Sequence, residues 1–326
     1  MRRLAGHGSC LVASFAIFLI VVASPASAQP TLRVNGVVAP DAITIPVGST
    51  VFVGVAGGPG HPADWVGLYL GDGVDAPLVA WTYLNGSAQP PTSGLSDATI
   101  PWLLPAQPGS YHFRLFAGQG SILLAAGPVV TAEPSPATLA VNGVVPPESL
   151  SVAGGSSLSV VLSQGPGNAG DWVGLYPGGA ADSGLLAWQY LNGSTARPPT
   201  GVHTATLTFQ APTTPGEYEF RLLTQASGRL ATSAVVTTTA SAAQVVVNGV
   251  AAPDHLTVSP GVTASVVVSG GPGNPTDWVA LYRVGAPNTE YLAWKYLTNS
   301  SAPPQDGLTD ATFSFLMPTE PGEYEC

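Results

Sequence analysis

The chain contains the same module three times. Val34-Asn35-Gly36 returns as Val141-Asn142-Gly143 and Val247-Asn248-Gly249, and Asp64-Trp65-Val66 as Asp171-Trp172-Val173 and Asp277-Trp278-Val279. Ala80-Trp81 returns as Ala187-Trp188 and Ala293-Trp294. Pro108-Gly109 with Tyr111 returns as Pro215-Gly216 with Tyr218 and Pro321-Gly322 with Tyr324. Every landmark advances by 107 residues and then by 106. A unit this long exceeds the roughly 20–50 residues of a solenoid repeat and matches a β-sandwich of about 100 residues. Each copy must therefore bury a core of its own. The organisation expected is a leader over 1–28 and modules over 31–134, 138–241 and 245–326.

Composition makes those modules all-β. Apolar residues are 45 % of the chain and charged residues 9 %, against about 25 % charged in an average globular protein. Lys295 is the one lysine, whereas Gly (39) and Pro (32) are abundant. Many turns, few helix formers and plentiful Val and Thr favour strands.

Arg2-Arg3, the apolar stretch Leu11 to Val22 and Ala26-Ser27-Ala28 read as a cleavable secretory signal peptide, with Gln29 first in the mature chain. The expected location is secreted, extracellular or at the cell surface, and no later segment reads as a membrane span. The formal charge of −10 becomes −12 once Arg2 and Arg3 leave, which argues against nucleic acid and anionic lipid as partners. Cys10 departs with the leader and Cys326 remains alone. No intramolecular disulfide can form in the mature chain, so the modules rest on apolar burial and sheet hydrogen bonds. Thr131 to Ala137, with its prolines, reads as a semi-rigid linker, and Thr237 to Ala243 as a looser one.

In the second copy, strands are expected over 140–144, 157–162, 171–176, 185–191, 204–209, 218–223 and 230–237, with turns at Asn142-Gly143, Gly165-Pro166-Gly167, Asn192-Gly193 and Pro215-Gly216. Alternation in Tyr218-Glu219-Phe220-Arg221-Leu222 turns Tyr218, Phe220 and Leu222 inward. Tyr111, Phe113 and Leu115 repeat this against His112 and Arg114. The position after the second Trp is Thr82, Gln189 or Lys295. A variable polar site suggests an outward direction, which would turn Trp188 and Tyr190 inward. The strand Trp172 to Tyr176 is apolar on both faces, so its buried side stays open.

A Trp in the third strand and the Pro-Gly-x-Tyr before the sixth resemble immunoglobulin-like and fibronectin type III-like sandwiches, with Tyr111, Tyr218 and Tyr324 placed like the tyrosine corner of those folds. DWVGLY, LAWQYLNGS and PGEYEFRL resemble Ig-like modules repeated in bacterial secreted and surface proteins, and DWVGLY is similar to a strand of the SKICH domain. The resemblance covers residues 31–326. It implies three tandem Ig-like, seven-stranded antiparallel β-sandwiches, and it implies little about function, because this architecture carries many roles.

The residues offer no enzyme site. Asp64, Asp171 and Asp277 each follow a Gly/Pro turn without a nearby carboxylate cluster, which suits an Asx-type turn better than a ligand group. Asp72 and Asp75 sit in a Gly loop of the first copy only. His61, His112, His203 and His255 recur at no equivalent position and show no zinc-ligand spacing. No Gly-x-Ser-x-Gly elbow occurs, and Gly-Pro-Gly lacks the lysine and helix of a phosphate loop. Catalytic, cofactor-binding and metal residues are therefore none, cofactors none and ligand-binding residues unknown. Asn85, Asn192 and Asn299 match the glycosylation pattern, though Asn-Gly is also a hairpin turn. Trp65, Trp81, Trp172, Trp188, Trp278 and Trp294 suit core packing or sugar stacking. For the first Trp of each pair the two readings stand level; for the second, core packing is expected.

The function expected is a non-catalytic array for spacing, adhesion or weak ligand binding, with a polysaccharide or a surface protein as partner. The alternative is an accessory, carbohydrate-binding region of a larger secreted enzyme. The third copy stops two residues past Tyr324, without the last strand of the other two. That leaves Cys326 and an open sheet edge as routes to a dimer.

Overall fold

A computed structural model describes residues 29–71, 73–118, 120 and 122–326. The leader read at 1–28 lies outside the described residues, as do Asp72, Gln119 and Ser121. The described chain is β throughout, apart from one 3-10 turn at Asp182–Gly184. Among the described residues no helix is long and apolar enough to cross a membrane.

Each module opens on a tight hairpin that Val-Asn-Gly dictates. Asn142 and Gly143 both take left-handed backbone (φ 49° and 83°), which Asn and Gly tolerate best. The Asn142 side chain then accepts the Ser159 N–H at 2.8 Å, tying the turn to the next strand. Asn35 does the same with Phe52, and Asn248 with Ser265.

The middle module stacks two sheets. One is ordered Thr138–Val141, Ser157–Ser163, Ala205–Gln210. The other is ordered Ser149–Ala153, Val235–Thr239, Gly216–Leu223, Trp172–Pro177, Ala187–Tyr190, with Arg229–Thr232 also paired to Gly216–Leu223. Leu158, Val160, Leu162, Leu207 and Phe209 of the first meet Val173, Leu175, Phe220, Leu222 and Val236 of the second in one buried core. The first module repeats this with Val51, Val53, Val55, Ile100 and Trp102 against Val66, Leu68, Phe113, Leu115 and Val130. In the third module, Val266, Val268, Phe313 and Phe315 pack against Val279 and Leu281, with Tyr324 and Cys326 at the edge of the core. Burial pushes the Cys326 thiol up, which disfavours the reactive thiolate. The tyrosine corner is present in all three: Tyr111, Tyr218 and Tyr324 donate to the carbonyls of Gln107, Thr214 and Glu320 at 2.8, 2.9 and 2.8 Å.

Three features differ from the sequence reading. The sheets are not wholly antiparallel: Ser149–Ala153 runs parallel to Val235–Thr239, as Ala42–Pro46 does to Ile122–Glu133. This strand follows Pro146-Pro147 and crosses from one sheet to the other, and a strand that crosses over in this way lands beside the last one in the same direction. Second, the stretch expected as one strand over 230–237 is broken at Ser233, whose backbone N–H and side-chain hydroxyl both engage the backbone of Phe220. Third, the expected linkers begin inside strands, since Ile122–Glu133 and Val235–Thr239 continue into them.

Candidate functional site

The second sheet of every module carries an aromatic strip on its outer face. In Trp172-Val173-Gly174-Leu175-Tyr176, Val173 and Leu175 belong to the core. Trp172, Gly174 and Tyr176 therefore take the other face. Register places Tyr190 beside Trp172 and Trp188 beside Gly174. Trp188 makes edge contacts with Trp172 and Tyr190 at centroid separations of 6.0 and 5.1 Å. Gly174 is the floor of this arrangement. A Cβ there would lie 2.7 to 2.9 Å from side-chain atoms of Leu185, Tyr176 and Trp172, so the rings close tightly over the strand; the third module carries Ala280 at this position and its rings still meet.

The strip recurs in the other modules. Trp65 stacks on Phe116 at 4.4 Å and meets Trp81 edge-on at 6.3 Å, and Trp81 meets Tyr83 at 5.2 Å. Trp278, Trp294, Tyr291 and Tyr296 form the third cluster. The rings are open to solvent: Trp81 and Trp278 are each 45 % exposed, and Trp65, Trp172, Trp188 and Trp294 are half-buried. Exposed Leu78 and Val79, Leu185 and Leu186, and Tyr291 and Leu292 extend the strips along the edge strands.

The inward direction expected for Trp188 and Tyr190 is thus corrected. The inner position of this edge strand belongs to Gln189, which donates to the Thr208 carbonyl of the opposite sheet at 2.8 Å. Lys295 makes the equivalent bond to Ser314 at 3.0 Å. Both acceptors sit on edge strands with unpaired carbonyls, and a polar side chain at the rim of the sandwich satisfies them. Variable polarity there reflects a rim position rather than an outward face.

A charged cluster centred on Arg221 lies beside the strip of the middle module, on the same outer face. Arg221 is 1 % exposed, and its guanidinium lies over the Tyr176 ring at 4.3 Å from the centroid. It pairs with Asp182 and Glu219, both at 2.5 Å. Arg114 lies over Tyr69 in the first module at 4.5 Å. These arginines set the tyrosines from one side, and in the middle module Asp182 and Arg229 extend the charged cluster to solvent.

The other candidates turn inward to the fold. Asp64, Asp171 and Asp277 each accept the backbone N–H three residues earlier, from His61, Asn168 and Asn274. Each thereby closes the turn before its strand. The side chains of Asn85 and Asn192 bridge their own loops, accepting from Ser87 and Ser194 and donating to Gln89 and Ala196. His203 contacts the Gly165 carbonyl at 2.7 Å, and the His61 Nδ1 accepts the Ala63 N–H at 3.1 Å. Among the described residues, no three His, Cys, Asp or Glu side chains are grouped to hold a metal ion.

Burial also shifts the acidity of Asp171. Desolvation by burial pushes its carboxyl up to about 6 from 3.8, opposed by hydrogen bonds from Asn168 and by the charge of Arg197. A folded-state value above the unfolded one means that the folded module holds the extra proton between pH 3.8 and 6. Stability from this group is therefore full below the unfolded value and declines as pH rises to about 6. The whole difference corresponds to about 3 kcal/mol at most. Urea melts across this range should show Asp171→Asn losing less stability on the rise than the parent chain. An identical slope in both would remove Asp171 from the account.

No protein-family model and no curated protein matches the chain. Among solved structures, it is similar to the ectodomain of the teleost fish polymeric Ig receptor, at 16 % identity over 64 % of this chain and 98 % of that one, with a TM-score of 0.22. A likeness of that size carries no argument about what this chain does.

Proposed function

We propose that this chain is a secreted or cell-surface, non-catalytic array of Ig-like modules, and that each module offers its aromatic strip to a polysaccharide. The observation that carries the reading is the same half-open Trp/Trp/Tyr strip appearing three times on the solvent side of the second sheet. Core packing does not require these rings, because Val, Leu and Phe side chains fill the cores beneath them. Sugar rings present flat C–H faces that stack on indole and phenol, and a half-open aromatic strip is the surface such rings need. The excess of acidic residues turns away polyanions and favours a neutral polymer. Repetition fits a polymer too, because three weak sites on one chain gain affinity together.

The test is quenching of tryptophan emission by soluble neutral polysaccharides such as a β-glucan, a xylan and a galactomannan, with alginate as the anionic comparison. Saturable quenching by a neutral polymer is expected. It should be lost when Trp81, Trp188 and Trp294 are all replaced by Ala in a chain that still melts cooperatively. Binding that survives the triple substitution, or no response to any neutral polymer, would refute the reading.

A further inference from the structure

Consecutive modules meet through the same pair of residues. At the first junction, Asn168 of the middle module donates its Nδ2 to the Gly48 carbonyl of the first at 2.8 Å. At the second, Asn274 donates to the Gly155 carbonyl of the middle module at 2.7 Å. Gly48 and Gly155 stand 107 residues apart, and Asn168 and Asn274 stand 106 apart, which are the repeat periods themselves. Both glycines take left-handed backbone, with φ of 73° and 83°.

Each asparagine is aimed from behind by the aspartate that closes its own turn. Asn168 Nδ2 lies 3.2 Å from Asp171 Oδ1, and Asn274 Nδ2 lies 3.0 Å from Asp277 Oδ1. The amide oxygen of Asn168 accepts the Thr50 hydroxyl at 2.6 Å, so one short side chain both gives and takes across the first junction. Apolar contact surrounds it: Leu230 packs against the core of the first module, and a Cβ on Gly48 would lie 2.6 Å from Leu230. Pro272 takes the corresponding place at the second junction, 3.3 Å from where a Cβ on Gly155 would lie.

We infer that these two contacts are one latch used twice. The foot of each module, built on a left-handed glycine carbonyl, recognises a following module that carries Asn-x-x-Asp ahead of its strand Trp. The amide donor is the part common to both junctions; its oxygen accepts across the first only, and the Asn274 oxygen is buried without a partner. The first module has His61 where the others have Asn. Its Nδ1 is already taken by the Ala63 N–H, so that head is not built to dock on a foot. The latch thus orders the array as well as stiffening it, and a linker with little regular structure behaves as a fixed joint.

The substitution Asn168→His tests this directly. It copies the residue of the first module, whose turn closes normally on Asp64, so the fold of the middle module is preserved while the latch is lost. Spin labels on cysteines introduced at Ala88 and Thr195, in a full-length background carrying Cys10→Ser and Cys326→Ser, report the distance between the first two modules. A narrow distribution is expected for the parent, and at least a doubling of its width for Asn168→His and Asn168→Ala. Labels at Thr195 and Ser301 should respond the same way to Asn274→His. Thermal melts of each variant confirm that the modules remain folded. Distributions as narrow in both Asn168 variants as in the parent, or equally broad in all three, would overturn the latch.

Discussion

Gly201→Ala is expected to cost about 3–5 kcal/mol or to prevent folding of the middle module, at the upper end of what overpacking does. A Cβ at this position would lie 2.1 Å from the Gly167 carbonyl oxygen and 2.3 Å from the carbonyl carbon of Asn168. Both are backbone atoms, so no side chain can swing aside and the turn itself must move. That turn carries Asn168 and precedes Asp171, so the junction to the first module should loosen with it. A Cβ on Gly94 or Gly307 would lie 1.7 or 1.8 Å from the Gly60 or Gly273 carbonyl oxygen, which makes the close approach a property of the repeat. Urea denaturation of the chain, followed by tryptophan emission, should show the middle transition moved or missing. A loss below about 1 kcal/mol would mean that the loop at Gly201 relaxes freely.

Phe220→Ala should destabilise the middle module by about 3–5 kcal/mol, the usual cost of truncating a large buried aromatic. Phe220 is fully buried and packs against Phe209 at 4.9 Å between centroids. Trp188→Ala removes a larger side chain and should cost less, about 1–2 kcal/mol. Trp188 stands half-exposed on the outer face, and what is lost is chiefly its edge contacts with Trp172 and Tyr190, each worth about 0.5–1.5 kcal/mol beyond area burial. Denaturant melts of the two variants decide the matter by their order. If Trp188→Ala is the more damaging, the aromatic strip is structural and the binding proposal loses its basis.

The candidate site was only partly legible in advance. The Asp before each strand, the Asn-Gly hairpins and the alternation of Tyr218, Phe220 and Leu222 are local signals, and each produced the local structure that its chemistry favours. Trp172 could not be placed that way, because its strand is apolar on both sides, and the local pattern turns Trp188 inward, to the wrong face. The available clue was the pair of aromatics two residues either side of a small residue, Gly67, Gly174 or Ala280, which leaves room for rings over the backbone. Gln189 pointed the wrong way because edge-strand carbonyls on the other sheet, invisible to local pattern, draw a polar side chain inward. Gly94, Gly201 and Gly307 carry no local signal, because the backbone they touch belongs to a distant loop around Gly60, Gly167 or Gly273.

The amino-acid sequence by itself determined the threefold repeat, the all-β class and the inward set of each strongly alternating strand. Those follow from period, composition and backbone preference, all of which act along the chain. Tertiary structure alone decided the sheet-switching parallel strand, the outward direction of the tryptophans and the junctions built from Asn168 and Asn274. Each depends on what stands opposite a residue across a sandwich or across a module boundary, and residues about 20 to 120 positions apart become neighbours only when the sheets stack.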